Sequence, residues 1–101
     1  MASPLVGVWE LVSDNEKAIL IFTETHLSGV FERTNTRRGI ASMYTVDGNR
    51  LRVNRLVDTA TAMNPKGEME FQIEGDTMTW KLLTPGTVSP VGHVDVWRKI
   101  E

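Results

Sequence analysis

Apolar and polar residues alternate along this chain with a period of two, in short runs that end in turn chemistry about every ten residues. The cleanest run is 68–73, where Met69, Phe71 and Ile73 share one face and Glu68, Glu70 and Gln72 the other. Eight runs read as strands: residues 5–13, 18–23, 27–33, 40–46, 50–57, 68–73, 77–83 and 91–100. No stretch sustains the 3.6-residue period of a helix. The connections are rich in Gly, Pro, Asn, Asp and Ser: 13–16, 24–26, a polar loop at 34–39, 74–76 and a Pro/Gly loop at 84–90. The longest is 59–67, with 64–67 as its turn and a helical turn over 59–63 as the alternative. Asp47-Gly48 is a strong hairpin signal, because a type I′ turn needs positive φ at both central positions.

Links this short make sequence neighbours into sheet neighbours. Eight antiparallel strands in that order leave two exposed edges unless the first strand meets the last, and closure removes both. The pattern therefore predicts one all-β domain over residues 1–101, an eight-stranded antiparallel up-and-down β-barrel. An interior of that size is filled by side chains or holds one small ligand.

Composition narrows the function classes. A formal charge of -2 makes no case for a nucleic-acid or membrane-surface partner. Arg33, Arg37, Arg38, Arg50, Arg52 and Arg55 cluster in the third to fifth strands against only Glu32 and Asp47. Their aromatic interleaving is limited to Phe31 and Tyr44, so the cluster reads as a solvated edge rather than a base-stacking surface. The absence of cysteine excludes a disulfide framework and a thiolate metal site. Met1-Ala2-Ser3-Pro4 has neither the basic nor the apolar region of a signal peptide, and the longest apolar run, 18–22, is too short to span a bilayer. The expected location is the cytoplasm, although a chain lacking a native leader reads the same way. No metal or other cofactor is called for.

Alternation also nominates a lining for the barrel. Ile19 falls with Ile21, Met69 with Phe71 and Ile73, and Met78 with Trp80 and Leu82; Phe22, Phe31 and Met43 add apolar bulk from other strands. Methionines at 43, 69 and 78 are adaptable enough for varied apolar ligands. Tyr44 shares a face with Ile40, Ser42 and Val46, and Arg55 with Leu51, Val53 and Val57. Two readings stay open: that face points inward and offers Arg55 and Tyr44 to an anion, or it points outward at a dimer contact. His93 shares a strand face with Asp95, a pairing that can orient an imidazole as a base. His26 sits at a strand start with no such neighbour.

The ordered set of motifs resembles a bacterial lipocalin-like domain, within the wider calycin group of lipocalins and fatty-acid-binding proteins. The motifs are Leu5-Val6-Gly7-Val8-Trp9-Glu10-Leu11-Val12-Ser13, Phe22-Thr23-Glu24-Thr25-His26-Leu27-Ser28, Tyr44-Thr45-Val46-Asp47-Gly48-Asn49, Glu74-Gly75-Asp76-Thr77-Met78-Thr79 and Val96-Trp97-Arg98-Lys99-Ile100-Glu101. The resemblance implies that Trp9 packs over the barrel floor with Arg98 across its ring. The expected function is binding of a small, largely apolar molecule, with an anionic or carbonyl group oriented by Tyr44, Arg55 or His93 over Met69, Phe71, Met78 and Trp80. The alternatives are a small cyclase-, isomerase- or hydratase-type enzyme using Tyr44, Arg55 and His93, and a non-catalytic homodimeric interaction module.

Overall fold

The computed structural model describes residues 4–33, 36–58, 66–84 and 91–101. Eight strands are described: β1 (Gly7–Leu11), β2 (Lys17–Phe22), β3 (His26–Arg33), β4 (Thr36–Asp47), β5 (Arg50–Asp58), β6 (Lys66–Glu74), β7 (Thr77–Leu82) and β8 (Val94–Lys99). Each pairs antiparallel with the next, and β8 pairs with β1, so the sheet closes into a barrel. The 59–63 alternative, residues 64–65 and the 85–90 loop fall outside the described residues; Lys66 and Gly67, expected in a turn, begin β6.

β4 begins earlier than its apolar run suggests. Thr36, Arg37, Arg38 and Gly39 continue the ladder opposite Arg33, Glu32, Phe31 and Val30. A polar segment is strand here because its partner supplies the hydrogen bonds and a hydrophobic inner face, so tertiary pairing overrides composition. The β4–β5 hairpin centres on Gly48-Asn49 rather than Asp47-Gly48, since Asp47 and Arg50 form the last registered pair and Gly48 has φ +62°.

The inner face is mostly apolar. Leu5, Trp9, Leu20, Phe22, Leu27, Tyr44, Leu51, Val53, Met69, Phe71, Met78, Trp80, Leu82 and Trp97 form one packed cluster, joined at its margin by Leu11, Phe31 and Ile73. The β2–β3, β4–β5 and β6–β7 turns mark one end, termed the lower end. There the Trp9 indole donates to the Leu5 carbonyl at 2.9 Å, and both residues are fully buried.

The cation over Trp9 is Lys99, not Arg98. Lys99 is the registered partner of Trp9 and holds its Nζ 5.8 Å from the ring centroid. Arg98 pairs with Glu10, so strand parity sends it to the outer face, where it forms an ion pair with that carboxylate.

Parity also divides β5. Ala41 pairs with Val57 but Ser42 pairs with Arg55, leaving Leu56 as an extra residue in a β-bulge. Arg55, Val53 and Leu51 therefore face inward with Ser42, Tyr44 and Val46, whereas Val57 turns to the exposed outer face with Ala41. The expected sharing of one face by Arg55 and Val57 fails at this bulge.

The β1–β8 seam depends on Gly7. Its φ is +144°, and a Cβ there would lie 2.5 Å from the Glu101 carbonyl oxygen and 2.7 Å from Lys99 Cε. Gly48 also has positive φ, but a Cβ there would meet nothing within 4 Å. Gly48→Ala is expected to lower stability by about 1 kcal/mol, the cost of a left-handed alanine. Gly7→Ala is expected to cost at least about 3 kcal/mol, because backbone strain and the clash add. Urea unfolding midpoints of the two variants check this; equal losses would remove the special role of the seam.

Candidate functional site

The inner side of β8 presents Asp95, Trp97 and Lys99 in succession from the upper end downward, with His93 just ahead of the strand, which starts at Val94 rather than at the expected 91. Asp95 is the hub. Its Oδ1 lies 2.9 Å from His93 Nε2, and its Oδ2 accepts from Trp80 Nε1 at 3.1 Å. Trp80 is the registered partner of Asp95 on β7, so the ladder itself delivers the indole to the carboxylate. With Nε2 engaged, Nδ1 is the imidazole nitrogen left to meet a ligand.

An aromatic stack extends from this hub across the barrel. Trp80 meets Trp97 edge-on at 5.0 Å between centroids, and Phe31 meets Trp97 edge-on at 6.3 Å. The Arg38 guanidinium caps Phe31 at 5.4 Å from its centroid. The stack thus links β7, β8, β3 and β4 through side chains, where the backbone ladder joins only adjacent strands.

Arg55 faces inward and is half-buried. Its head rests over Gly67 of β6, where a Cβ would come within 3.0 Å of both terminal guanidinium nitrogens. Gly67 thus leaves the space that this arginine fills. Gly67 at the start of β6 and His93 just before β8 lie near the same end of the barrel, with β7 between their strands.

Tyr44 serves a different purpose. Its hydroxyl donates to the Thr23 carbonyl at 2.5 Å, and its ring meets Phe22 edge-on at 5.3 Å. Thr23 lies in the β2–β3 turn, at the lower end, so Tyr44, Arg55 and His93 are not brought to one point. Burial, and secondarily the charge of Glu24, push the Tyr44 phenol above its ordinary value of 10.0.

The apolar candidates divide. Met69, Phe71, Met78 and Trp80 are inward and buried, with Met69 registered on Leu82, Phe71 on Trp80 and Met78 on Trp97. Ile19, Ile21 and Met43 instead point outward, because Ala18, Leu20 and Phe22 take the inner positions of β2 and Ser42 and Tyr44 those of β4. His26 is exposed at the lower end, with Nδ1 2.6 Å from the Thr25 hydroxyl. Within the basic cluster, Arg50 and Arg52 both approach Glu68, Arg37 approaches Glu32, and Arg38 and Arg55 turn inward. Among the described residues no group of three or more His, Cys, Asp or Glu is suited to a metal, and no helix is long and apolar enough to cross a membrane.

Two buried polar atoms have no hydrogen-bond partner among the described residues: Trp97 Nε1 and Ser42 Oγ. Neither is singled out by sequence patterning, nor are the Trp80–Asp95 bond, the Arg38–Phe31 contact and the space at Gly67. All five depend on cross-strand register, which alternation within a strand does not specify.

Tyr44 is the chain's one tyrosine, so its ionisation can be read alone. A phenol with a raised folded-state value holds its proton more tightly when folded. Its contribution to stability is intact below the ordinary value of 10.0 and is lost as pH rises through the folded one. Phenolate absorbance is expected to appear above that value in the native protein and near it in urea. Tyr44→Phe is expected to cost about 1 kcal/mol at neutral pH, the scale of one hydrogen bond, and to flatten the alkaline decline. Coincident native and urea titrations would contradict this.

Compared with protein-family models, with curated proteins and with solved structures, the chain finds no match in any of the three.

Proposed function

We propose that the barrel binds a small, largely apolar molecule that carries a carboxylate or carbonyl group, entering from the upper end. The observation that carries this reading is the pair of nitrogen-bearing groups Arg55, over Gly67, and His93, on Asp95, set near one end of a largely apolar wall. The planar fork of a guanidinium matches the geometry of a ligand's acid group. The packed middle of the barrel favours a small ligand over a long one. Affinity would come from apolar surface removed from water, at about 25 cal/mol per Å² before ordering costs.

The closed eight-stranded antiparallel barrel is compatible with the lipocalin-like resemblance, which supports a binding role. The enzyme alternative has less support, because Tyr44 is tied to the opposite end from His93. A chain without cysteine suits the cytoplasm, and the proposal extends to that compartment.

Native mass spectrometry of protein purified from cells is expected to show a co-purified small molecule. In a thermal-shift screen, aromatic and fatty carboxylates should raise the melting temperature, since ligands of the folded state stabilise it. Arg55→Gln should weaken carboxylate binding roughly tenfold or more, the scale of a charge-assisted hydrogen bond. No adduct and no shift with any acid would end this reading.

A second reading concerns the outer face. Ile21, Ser28, Ala41 and Val57 line up across β2 to β5, with Ile19 and Val30 in the adjacent row. They border a shallow hollow of about 290 Å³ floored by Ser28, Gly29, Gly39 and Ala41. Exposed Val30 and Val57 supply knobs beside a hollow on the same face, an arrangement suited to a two-fold partner. Light scattering is expected to give twice the chain mass at high concentration and the single mass for Val30→Glu. A monomer at every concentration would exclude the dimer.

A further inference from the structure

The chain has two histidines, and they are held in different ways. His26, exposed at the lower end, has its Nδ1 2.6 Å from the Thr25 hydroxyl, and among the described residues no carboxylate pairs with it. His93, just before β8, has its Nε2 2.9 Å from Asp95 Oδ1. The other oxygen of that carboxylate accepts from Trp80 Nε1 at 3.1 Å. An ionised carboxylate only accepts, so the proton of the neutral imidazole sits on Nε2 and the lone pair on Nδ1.

Nδ1 is open to solvent. It has no hydrogen-bond partner among the described residues, and it is not one of the enclosed atoms lacking a partner, which are Ser42 Oγ and Trp97 Nε1. The His93 side chain is 39% exposed. A reagent reaches this nitrogen from outside at the upper rim, with no interior cavity required.

We infer that His93 Nδ1 is a nucleophilic site for activated acyl groups, such as those of aryl esters, and that Asp95 and Trp80 are its positioning residues. The lone pair attacks the ester carbonyl, an N–C bond forms, the C–O bond to the aryl group breaks, and the phenolate leaves with the electron pair. The resulting acyl-imidazolium keeps its Nε2 proton against Asp95, which stabilises the positive charge. Water then adds to the acyl carbon, the C–N bond breaks, and the carboxylic acid departs from a neutral ring. The net reaction is ester plus water to acid plus phenol. It uses neither Tyr44 nor Arg55, and it stands whether or not the interior binds a ligand.

Asp95→Asn is expected to invert the tautomer. An indole N–H only donates, so Trp80 takes the amide oxygen and turns the amide nitrogen toward His93 Nε2. Nε2 must then accept, the proton moves to Nδ1, and the nucleophile is lost.

The test joins two measurements at mildly alkaline pH. Long-range nitrogen–proton NMR of the imidazoles reads the tautomer, and sustained release of 4-nitrophenolate from excess 4-nitrophenyl acetate reads turnover. Amines are acylated once and then spent, so sustained release isolates the histidines. Wild-type His93 is expected to show Nδ1 unprotonated, and Asp95→Asn to show it protonated. His93→Gln and Asp95→Asn should each lower sustained release roughly tenfold or more, the scale of a lost acid–base group or a wrong tautomer. His26→Gln should leave it unchanged.

A proton on Nδ1 of wild-type His93 overturns the inference, as does an unchanged tautomer in Asp95→Asn. Sustained release that survives His93→Gln overturns it equally. Should Asp95→Asn fail to fold, the wild-type tautomer and the contrast between His93→Gln and His26→Gln decide the matter.

Discussion

Closure of β1 on β8 is the constraint from which the other placements follow. Val8 donates to the Glu101 carbonyl and accepts from Ile100, both at 2.8 Å, across a gap that only glycine at position 7 allows. Closing the ring removes both sheet edges and sets the shear, and hence the side of the wall on which each residue lies. A slip of one residue would exchange Trp97 and Lys99 for Arg98 and turn the inner face outward. The Trp9–Lys99 contact and the outward Arg98–Glu10 pair are two expressions of that one register.

Against this regular background the bulge at Leu56 acts locally. Without it, Arg55 and Val57 would share a face, either both inside or both outside. With it, the guanidinium is held inside over Gly67 while Val57 joins the apolar outer face. One extra residue thus separates a prospective ligand group from a prospective contact surface. Bulges are frequent near binding sites for this reason, since they re-aim single side chains without disturbing the strands beyond.

The barrel was legible in the alternation and the turns: eight runs, short links and a first strand able to meet the last. Strand ends were less so, as the polar segment 36–39 illustrates, because pairing rather than composition makes it β. Among the candidate residues, the inward placement of Met69, Phe71, Met78 and Trp80 was legible because they alternate on strands with one wet face. Ile19 and Ile21 misled because β2 is apolar on both faces, so alternation offers no choice between Ala18-Leu20-Phe22 and its complement. The His93–Asp95 pairing could be anticipated from their spacing of two in the sequence, although His93 lies just before β8. Its continuation to Trp80 and Trp97 could not, since those contacts cross between strands.

The two ends of the barrel handle their polar groups differently. At the lower end the buried aromatic donors bond main-chain carbonyls: Trp9 to Leu5 and Tyr44 to Thr23. Such bonds are fully satisfied by the chain and add rigidity there. At the upper end the bonds run between side chains, through His93, Asp95 and Trp80, and they stop one tryptophan short. A side-chain network that engages both oxygens of its carboxylate yet leaves the adjacent indole unmet has a defined remaining valence. That unmet donor lies in the packed middle, where Trp97 is fully enclosed and meets Trp80 and Phe31 edge-on, so its cost is set against the burial of the whole ring.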